Sequence, residues 1–356
     1  MQTISRVESV IVSNTRENNL SFVIRYIFLI EEGNFFYKLH LISISKILTT
    51  FNKIFFVGSL DLYTFAVETF LKIDLIKRSK IMLLDKQTNK VYISDKIRTR
   101  FPEVSKRLTD ALDKEGVLWG SLQYTNDIWC RDYMPIQVAE NRFIQYCYYP
   151  DYLNDEKYKH LRTDPTETLA ELGIETIKTD IIIDGGNVIK CDDCVIMVDK
   201  VFKENPNYTQ SALVNKLETL FDSEIIFLPW DHNEKYGHAD GIVRYVSKGK
   251  VLMTNYHDFD TRFFDKFLSV LSKKFDVSVL KYRGEIDKKY NWAYINFLQT
   301  EHSIFVPVFD RKEDEQALEQ IATCYPDYKD HIIPVKFNSV VQQGGAINCV
   351  TWNIKK

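Results

Sequence analysis

Five short polar motifs recur from residue 90 onward at a nearly constant interval, and that spacing constrains the fold more than any other feature of the chain. They are TNDIWCRDYMP, IIIDGGNVI, YGHADGIVRYV, NWAYINFL and QQGGAINCV, and their landmarks Asp132, Gly185, His238, Asn291 and Gly345 stand 53, 53, 53 and 54 residues apart. A strand-like segment runs into each motif. A period of this length is the signature of a repeat or propeller, in which each unit buries its core only against its neighbours. Val91 to Lys356 accommodates five such units. Because the motifs differ in sequence, a non-symmetric α/β domain stays open as the alternative on spacing alone.

One unit can be read in detail. VYISDKI alternates like a strand, Pro102 opens PEVSKRLTDALDKEG, and Val104, Leu108, Ala111 and Leu112 fall on one helical face before a stop at Gly116. VLWGSLQY then reads as a second strand, ending in the Asp132 motif. The expected fold class is therefore α/β, a five-bladed α/β propeller of pseudo-five-fold ββαβ units, occupying residues 90–356.

Residues 1–89 are a different kind of polypeptide. No Pro precedes Pro102, no Trp precedes Trp119, no Cys precedes Cys130, and only two of the 13 glycines lie before Gly116. This stretch reads as a mixed helix-and-strand extension or accessory domain without evident chemistry. Leu62, Phe65, Ala66, Thr69, Phe70 and Ile73 suggest an amphipathic helix in it.

Composition excludes several function classes. With 46 Lys+Arg against 49 Asp+Glu, the formal net charge is -3, which argues against a general nucleic-acid binder. The 23 Phe and 20 Tyr argue against disorder. The front apolar runs are broken by Arg25, Lys46, Asp61 and Glu68, short of a membrane span. Charges stand where the apolar core of a signal peptide would lie, and six cysteines are too few for a disulfide framework, so a cytoplasmic protein is expected. Cys191-x-x-Cys194 has no second pair and no His at ligand spacing, so it reads as a turn between strands rather than a zinc site.

If equivalent strand ends converge, one site gathers Asp132, Asp184, His238, Asp240, Asn296 and Cys349. In GHAD, His238 and Asp240 are two residues apart, which on a strand would turn both to one face. Two carboxylates beside a thiol raise its pKa, which suits a nucleophile poorly unless the substrate is itself a cation. A guanidinium pairs with carboxylates through a fixed fork of N–H donors. Asp132 and Asp240 would clamp it, and Cys349 would attack its central carbon.

The segments WCRDYMPI, IDGGNVI, GHADGIV and GGAINCV resemble the agmatine deiminase and peptidyl-arginine deiminase branch of the guanidino-group modifying superfamily, from about Val91 to the end. The resemblance implies Cys349 as nucleophile, His238 as general acid/base, and Asp132 and Asp240 as guanidinium ligands. It places Asn296 in support, Trp129 as a wall, Gly345 beside the substrate, and Asp184 with Asn187 at the rim. The implied reaction is hydrolysis of a guanidino group to a ureido product and ammonia through a thiouronium on Cys349, in the manner of polyamine (putrescine) biosynthesis, without metal or organic cofactor. The implied partner is a small cationic guanidino substrate, with neither nucleic acid nor membrane, and a homodimer is compatible with it. This chain has Asp184 where agmatine deiminases usually have Glu, GHAD for GHID, GGAINC for GGNIHC, and IKCDDCVIMVDK in place of a DGEGT-like stretch. The guanidino compound thus stays open among agmatine, free arginine and peptidyl-arginine. An amidinotransferase, an arginine dihydrolase and a non-catalytic binding protein on the same fold are the alternatives.

Overall fold

The computed structural model describes residues 6–15, 20–31, 34–43, 52–57, 82–284 and 289–356. The chain divides into two compact units, Met1–Ile81 and Met82–Lys356. The described part of the first is a four-stranded antiparallel meander, β1 (Arg6–Thr15), β2 (Leu20–Glu31), β3 (Asn34–Ser43) and β4 (Asn52–Val57), in sequential order. These segments are strands where mixed helix and strand was expected. The helix expected across Leu62–Ile73 lies outside the described residues.

The second unit begins ahead of residue 90. Met82 and Leu84 are buried in its core, and the Leu83 and Asn89 N–H groups donate to Val138 and Ile354 carbonyls. Its strands are β5 (Lys90–Ser94), β6 (Leu118–Leu122), β7 (Ile136–Ala139), β8 (Arg142–Cys147), β9 (Ile177–Ile182), β10 (Ile189–Lys190), β11 (Cys194–Val198), β12 (Glu224–Leu228), β13 (Val243–Ser247), β14 (Lys250–Met253), β15 (Asp276–Val279), β16 (Leu298–Gln299), β17 (Ile304–Val308), β18 (Ile332–Lys336) and β19 (Thr351–Ile354). They form five three-stranded sheets, β19-β5-β6, β7-β8-β9, β10-β11-β12, β13-β14-β15 and β16-β17-β18. In every sheet the middle strand pairs antiparallel with the first and parallel with the third.

A parallel pair cannot be joined by a hairpin and needs a crossover, here always helical. The crossovers are α1 (Pro102–Lys114), α2 (Thr166–Leu172), α3 (Gln210–Phe221), α4 (Thr261–Leu271) and α5 (Glu313–Cys324). Pro102 starts α1 where its missing N–H costs nothing, and the helix turns Val104, Leu108 and Leu112 inward. Full burial of Leu108 and Leu112 contributes roughly 1.5–3 kcal/mol each. One correction applies at the front of this sheet: β5 stops at Ser94, whose hydroxyl accepts the Lys96 N–H and caps a short helix, Asp95–Arg100.

The links that join one sheet to the next carry the five sequence motifs. They are short turns: Cys130–Tyr133, Gly185–Asn187, Ala239–Gly241 and Asn291–Ile295, then the stretch before β19 that holds Gly345 and Cys349. The last strand completes the first sheet, so residues far apart in sequence meet; the Arg131 N–H donates to the Cys349 carbonyl at 3.2 Å.

Candidate active site

Cys349 sits at the end of the last link with only 7% of its surface exposed. Its Sγ lies 3.3 Å from Asn296 Oδ1 and 3.6 Å from Asp240 Oδ2. Asp240 Oδ2 also accepts from Asn296 Nδ2 at 2.9 Å and Asn348 Nδ2 at 2.7 Å. The thiol, Asp240 and two amides thus form one bonded group drawn from three links.

His238 faces a second group. Its Nε2 is 2.8 Å from Asp184 Oδ2, which also accepts the Tyr152 hydroxyl at 3.0 Å, and its Nδ1 is 3.7 Å from Asp132 Oδ1. Asp132 Oδ1 takes the Gly186 N–H at 3.1 Å. Position 186 admits no side chain, since a Cβ would come within 2.7 Å of that oxygen and 2.8 Å of His238 Nδ1. Gly345 lies equally close to the Trp129 indole, where a Cβ would approach to 2.4 Å.

The charge balance is unusual for a protein interior. Three buried carboxylates share the site with one imidazole, Asp132 and Asp184 against it and Asp240 turned toward Cys349. Burial pushes Asp132 up to about 7, against the pull of His238 and with help from Asp184 and Asp240. Burial disfavours the imidazolium, but Asp132 and Asp184 outweigh it and hold His238 at about 10. Burial, then Asp240 and Asp132, lift the Cys349 thiol well above its ordinary value. With these shifts the site holds a neutral thiol and a charged imidazole. Asp184 Oδ1 and Asn348 Oδ1 are buried without a partner, so the site has more acceptors than donors. An N–H-rich cation is the complement that such a site lacks.

Of the residues singled out in the sequence, Trp129, Asp132, His238, Gly345 and Cys349 line one chamber, and His238, Asp240, Asn296 and Cys349 line another that meets it. Asp184 is not at a rim: it is 2% exposed and bonded to His238. Asn187 lines neither chamber; its amide exchanges two hydrogen bonds with the Val198 backbone, tying the link to β11. His238 and Asp240 do not share a strand face, because Ala239–Gly241 is wound as a 3-10 turn that sends His238 toward Asp184 and Asp240 toward Cys349. Cys191 and Cys194 are free thiols closing the turn between β10 and β11, with a Cys191 N–H to Cys194 carbonyl bond of 2.9 Å. Among the described residues no group of His, Cys, Asp and Glu is arranged to hold a metal ion, and no helix is long and apolar enough to cross a membrane.

Three residues escaped the sequence reading. Asn348 gave a weak signal as the neighbour of Cys349. Tyr152 belongs to no motif, and neither does Lys200, which is fully buried. Lys200 Nζ contacts Asp151 at 2.9 Å, Glu204 at 3.1 Å and the Tyr236 carbonyl at 2.9 Å, and its stem packs on Gly237, just before His238.

Comparison with known proteins places the chain in a family and matches its fold. Residues 85–354 match the family model of Porphyromonas-type peptidyl-arginine deiminase. A putative agmatine deiminase of Marinomonas sp. (strain MWYL1) is 24% identical over 208 residues, a match covering 49% of this chain and 55% of that relative's length. The structure of the agmatine deiminase of Enterococcus faecalis aligns with a TM-score of 0.61 at 18% identity, covering 78% of this chain and 96% of that one. An amidinotransferase from Microseira wollei aligns with a TM-score of 0.51 at 14% identity, covering 78% and 97% of the two chains. At such identities these structures show a shared fold. The match to the family model covers most of the chain, and the protein belongs to the Porphyromonas-type peptidyl-arginine deiminase family.

Proposed function

We propose that the second unit is a five-bladed α/β propeller whose links meet in one catalytic site, and that this site hydrolyses a guanidino group to a ureido group and ammonia. The observation that carries this reading is the placement of Cys349 within hydrogen-bond reach of Asp240, in a cavity wall shared with a His238 that is flanked by two further carboxylates. A guanidinium bound between Asp132 and Asp240 neutralises the charges that hold the Cys349 proton, so substrate binding itself favours the thiolate.

The thiolate adds to the guanidinium carbon. His238, charged at neutral pH, donates a proton to the departing nitrogen, and ammonia leaves while a thiouronium remains on Cys349. Neutral His238 then takes a proton from water as it attacks the same carbon. The C–S bond breaks, releasing the ureido product and the thiolate. Asp184, fixed by Tyr152, orients the imidazole through both steps. The Cys349 proton passes to solvent as the cation binds and is replaced by the hydroxyl proton of the tetrahedral adduct once the C–S bond breaks, in a reaction of a small cationic substrate that fits a cytoplasmic enzyme of linear-amidine C–N hydrolysis.

The test is ammonia release with detection of the ureido product, run in parallel on agmatine, free arginine and an arginine peptide. Turnover of at least one is expected, and Cys349→Ala should lower it by about 10³-fold or more while circular dichroism stays unchanged. A Cys349→Ala protein that still releases ammonia at the original rate would remove the nucleophile from this scheme.

A further inference from the structure

Cys349 stands where two chambers meet. One, of about 320 Å³, is walled by Trp129, Asp132, Tyr148, Tyr152 and Tyr158. The other, of about 350 Å³, is walled by Trp230, Asp240, Ile242, Tyr256, Phe259 and Trp292. Tyr236, His238, Gly344 and Cys349 belong to both.

The two clamp carboxylates are divided between the chambers, Asp132 lining only the first and Asp240 only the second. A planar guanidinium gripped between them turns one nitrogen edge toward each chamber. In simple deimination one nitrogen carries the rest of the substrate and another leaves as ammonia, a molecule of about the size of water, whose share of liquid volume is about 30 Å³. The second chamber is several times larger than such a leaving group needs.

The lining of that chamber indicates what it accepts. Its polar groups are already bonded to one another: Asp231 Oδ2 accepts the Tyr256 hydroxyl at 2.7 Å and Oδ1 the Asn233 N–H at 2.9 Å, Glu234 Oε1 accepts the Tyr236 N–H at 2.8 Å, and Trp230 Nε1 donates to the Glu234 carbonyl at 2.9 Å. Two indoles, two phenol rings and a phenyl ring are left to face the space, a surface that rewards apolar and aromatic contact.

We propose that the second chamber receives an apolar substituent on the departing nitrogen, so that the preferred substrates are N,N′-disubstituted guanidines whose leaving group is an aralkyl or branched alkyl amine rather than ammonia. This rests on the Cys349 chemistry proposed above. The Cys349 thiolate forms the C–S bond, and the bond from the guanidinium carbon to the substituted nitrogen breaks. His238 protonates that nitrogen, and the amine leaves through the aromatic chamber. Water, with His238 as base, converts the thiouronium to a monosubstituted urea and restores the thiol.

The experiment compares N-butylguanidine with N-benzyl-N′-butylguanidine, measuring ammonia from the first and benzylamine with butylurea from the second. Benzylamine release should exceed ammonia release by about tenfold or more in kcat/KM. Trp292→Ala and Trp230→Ala, in two separate links, should each lower benzylamine release by about tenfold and leave ammonia release from N-butylguanidine within about threefold, which also reports that the variants are folded. Ammonia release from N-butylguanidine with the disubstituted compound inert, or equal losses on both compounds in the Trp variants, overturns the inference and leaves the deiminase reading standing. No product from either compound overturns the inference, and inertness of agmatine, free arginine and the arginine peptide as well overturns the Cys349 chemistry beneath it.

Discussion

Two clusters of charge, one buried and one partly buried, are joined through Asn348 and are built on opposite principles. In the catalytic cluster three carboxylates share one imidazole, and the acceptor Asp184 Oδ1 finds no donor. In the other, around a cavity of about 20 Å³, Arg131, Lys190 and Arg244 share one carboxylate, Asp85, which lies 3.3 Å from Lys190 Nζ and 3.6 Å from Arg244 Nη2. The cations there are in numerical surplus but not short of partners. Arg131 donates to the Asn348 carbonyl and to Asn353 Oδ1, Lys190 to the Gln137 carbonyl, and Arg244 to the Phe297 carbonyl. A surplus of donors is absorbed by backbone carbonyls, which any fold has to spare. A surplus of carboxylate oxygens needs N–H groups, and the catalytic cluster has none left to offer. The donor surplus is thereby closed within the fold, whereas the acceptor surplus is the one that the cationic substrate proposed above would meet.

The largest expected effect follows from removing an acceptor from the catalytic cluster. Asp240→Asn replaces an oxygen pair that collects bonds from Asn296, Asn348 and Cys349 with an amide, and it deletes half of the guanidinium clamp. We expect kcat/KM for ammonia release to fall by about 10²–10³-fold. Near-normal kinetics in this variant would place the guanidinium elsewhere and erase the contrast between the clusters.

The next test uses pH. Burial holds Asp132 at about 7, while its carboxylate neighbours keep the His238 proton to about 10. Cation binding requires ionised Asp132, so affinity falls as pH drops below about 7 and is level above it. With Cys349→Ala to prevent turnover, the Kd of an alkylguanidine should rise by about tenfold per pH unit below that point, and calorimetry at pH 6 should detect proton release on binding. Affinity independent of pH between 5 and 8 would mean that Asp132 is already satisfied without substrate.

Lys200 sharpens the comparison because it has the saturated bonding of the second cluster yet lies against the first. Its three oxygens come from three segments, and it braces both the Gly237–His238 backbone and the Tyr152 ring, 5.0 Å from its Nζ. Lys200→Met should lower kcat by about tenfold with KM within about threefold, and Lys200→Arg should not restore it, since the larger fork has no room beside Gly237. A uniform loss of folded protein with unchanged kcat would assign it to stability alone.

The spacing of the motifs was legible in the sequence because every unit spends a similar length on three paired strands, a helical crossover and a link, so the links fall at a fixed interval. That is why Asp132, Asp184, His238, Asp240, Asn296 and Cys349 group together from the sequence. What the links do internally was not legible. Whether Asp184 meets His238 or solvent depends on how the Gly185–Asn187 turn is wound, and the same turn commits Asn187 to the Val198 backbone. Reading GHAD as a strand failed for this reason: alternation holds only where a sheet continues, and here a 3-10 turn intervenes. Tyr152 and Trp230 belong to none of the five motifs, and Trp292, although inside NWAYINFL, has no landmark role there, so only the tertiary structure shows that their rings wall the two chambers.

The smallest expected effect on activity comes from the second cluster, where the effect on stability is instead large. Burial alone would raise Asp85, but Lys190, Arg244 and Arg131 outweigh it and hold the carboxyl at about 2. Its folded value thus lies below its unfolded one. The stability it contributes is present above the unfolded value, near 4, and is lost as pH falls through about 2. Asp85→Asn should therefore cost on the order of 2 kcal/mol in urea unfolding at pH 7, with the gap from wild type closing toward pH 2, while ammonia release per folded molecule stays within about twofold. This is the reverse of the catalytic cluster, where Asp132 and His238 both bind protons more tightly in the folded chain, so that their contribution declines as pH rises from about 4 to about 10. If Asp85→Asn instead silenced catalysis in a fully stable protein, the bridge through Asn348 would couple the two clusters into one electrostatic unit, and the division between a structural and a ligand-completed cluster would fail.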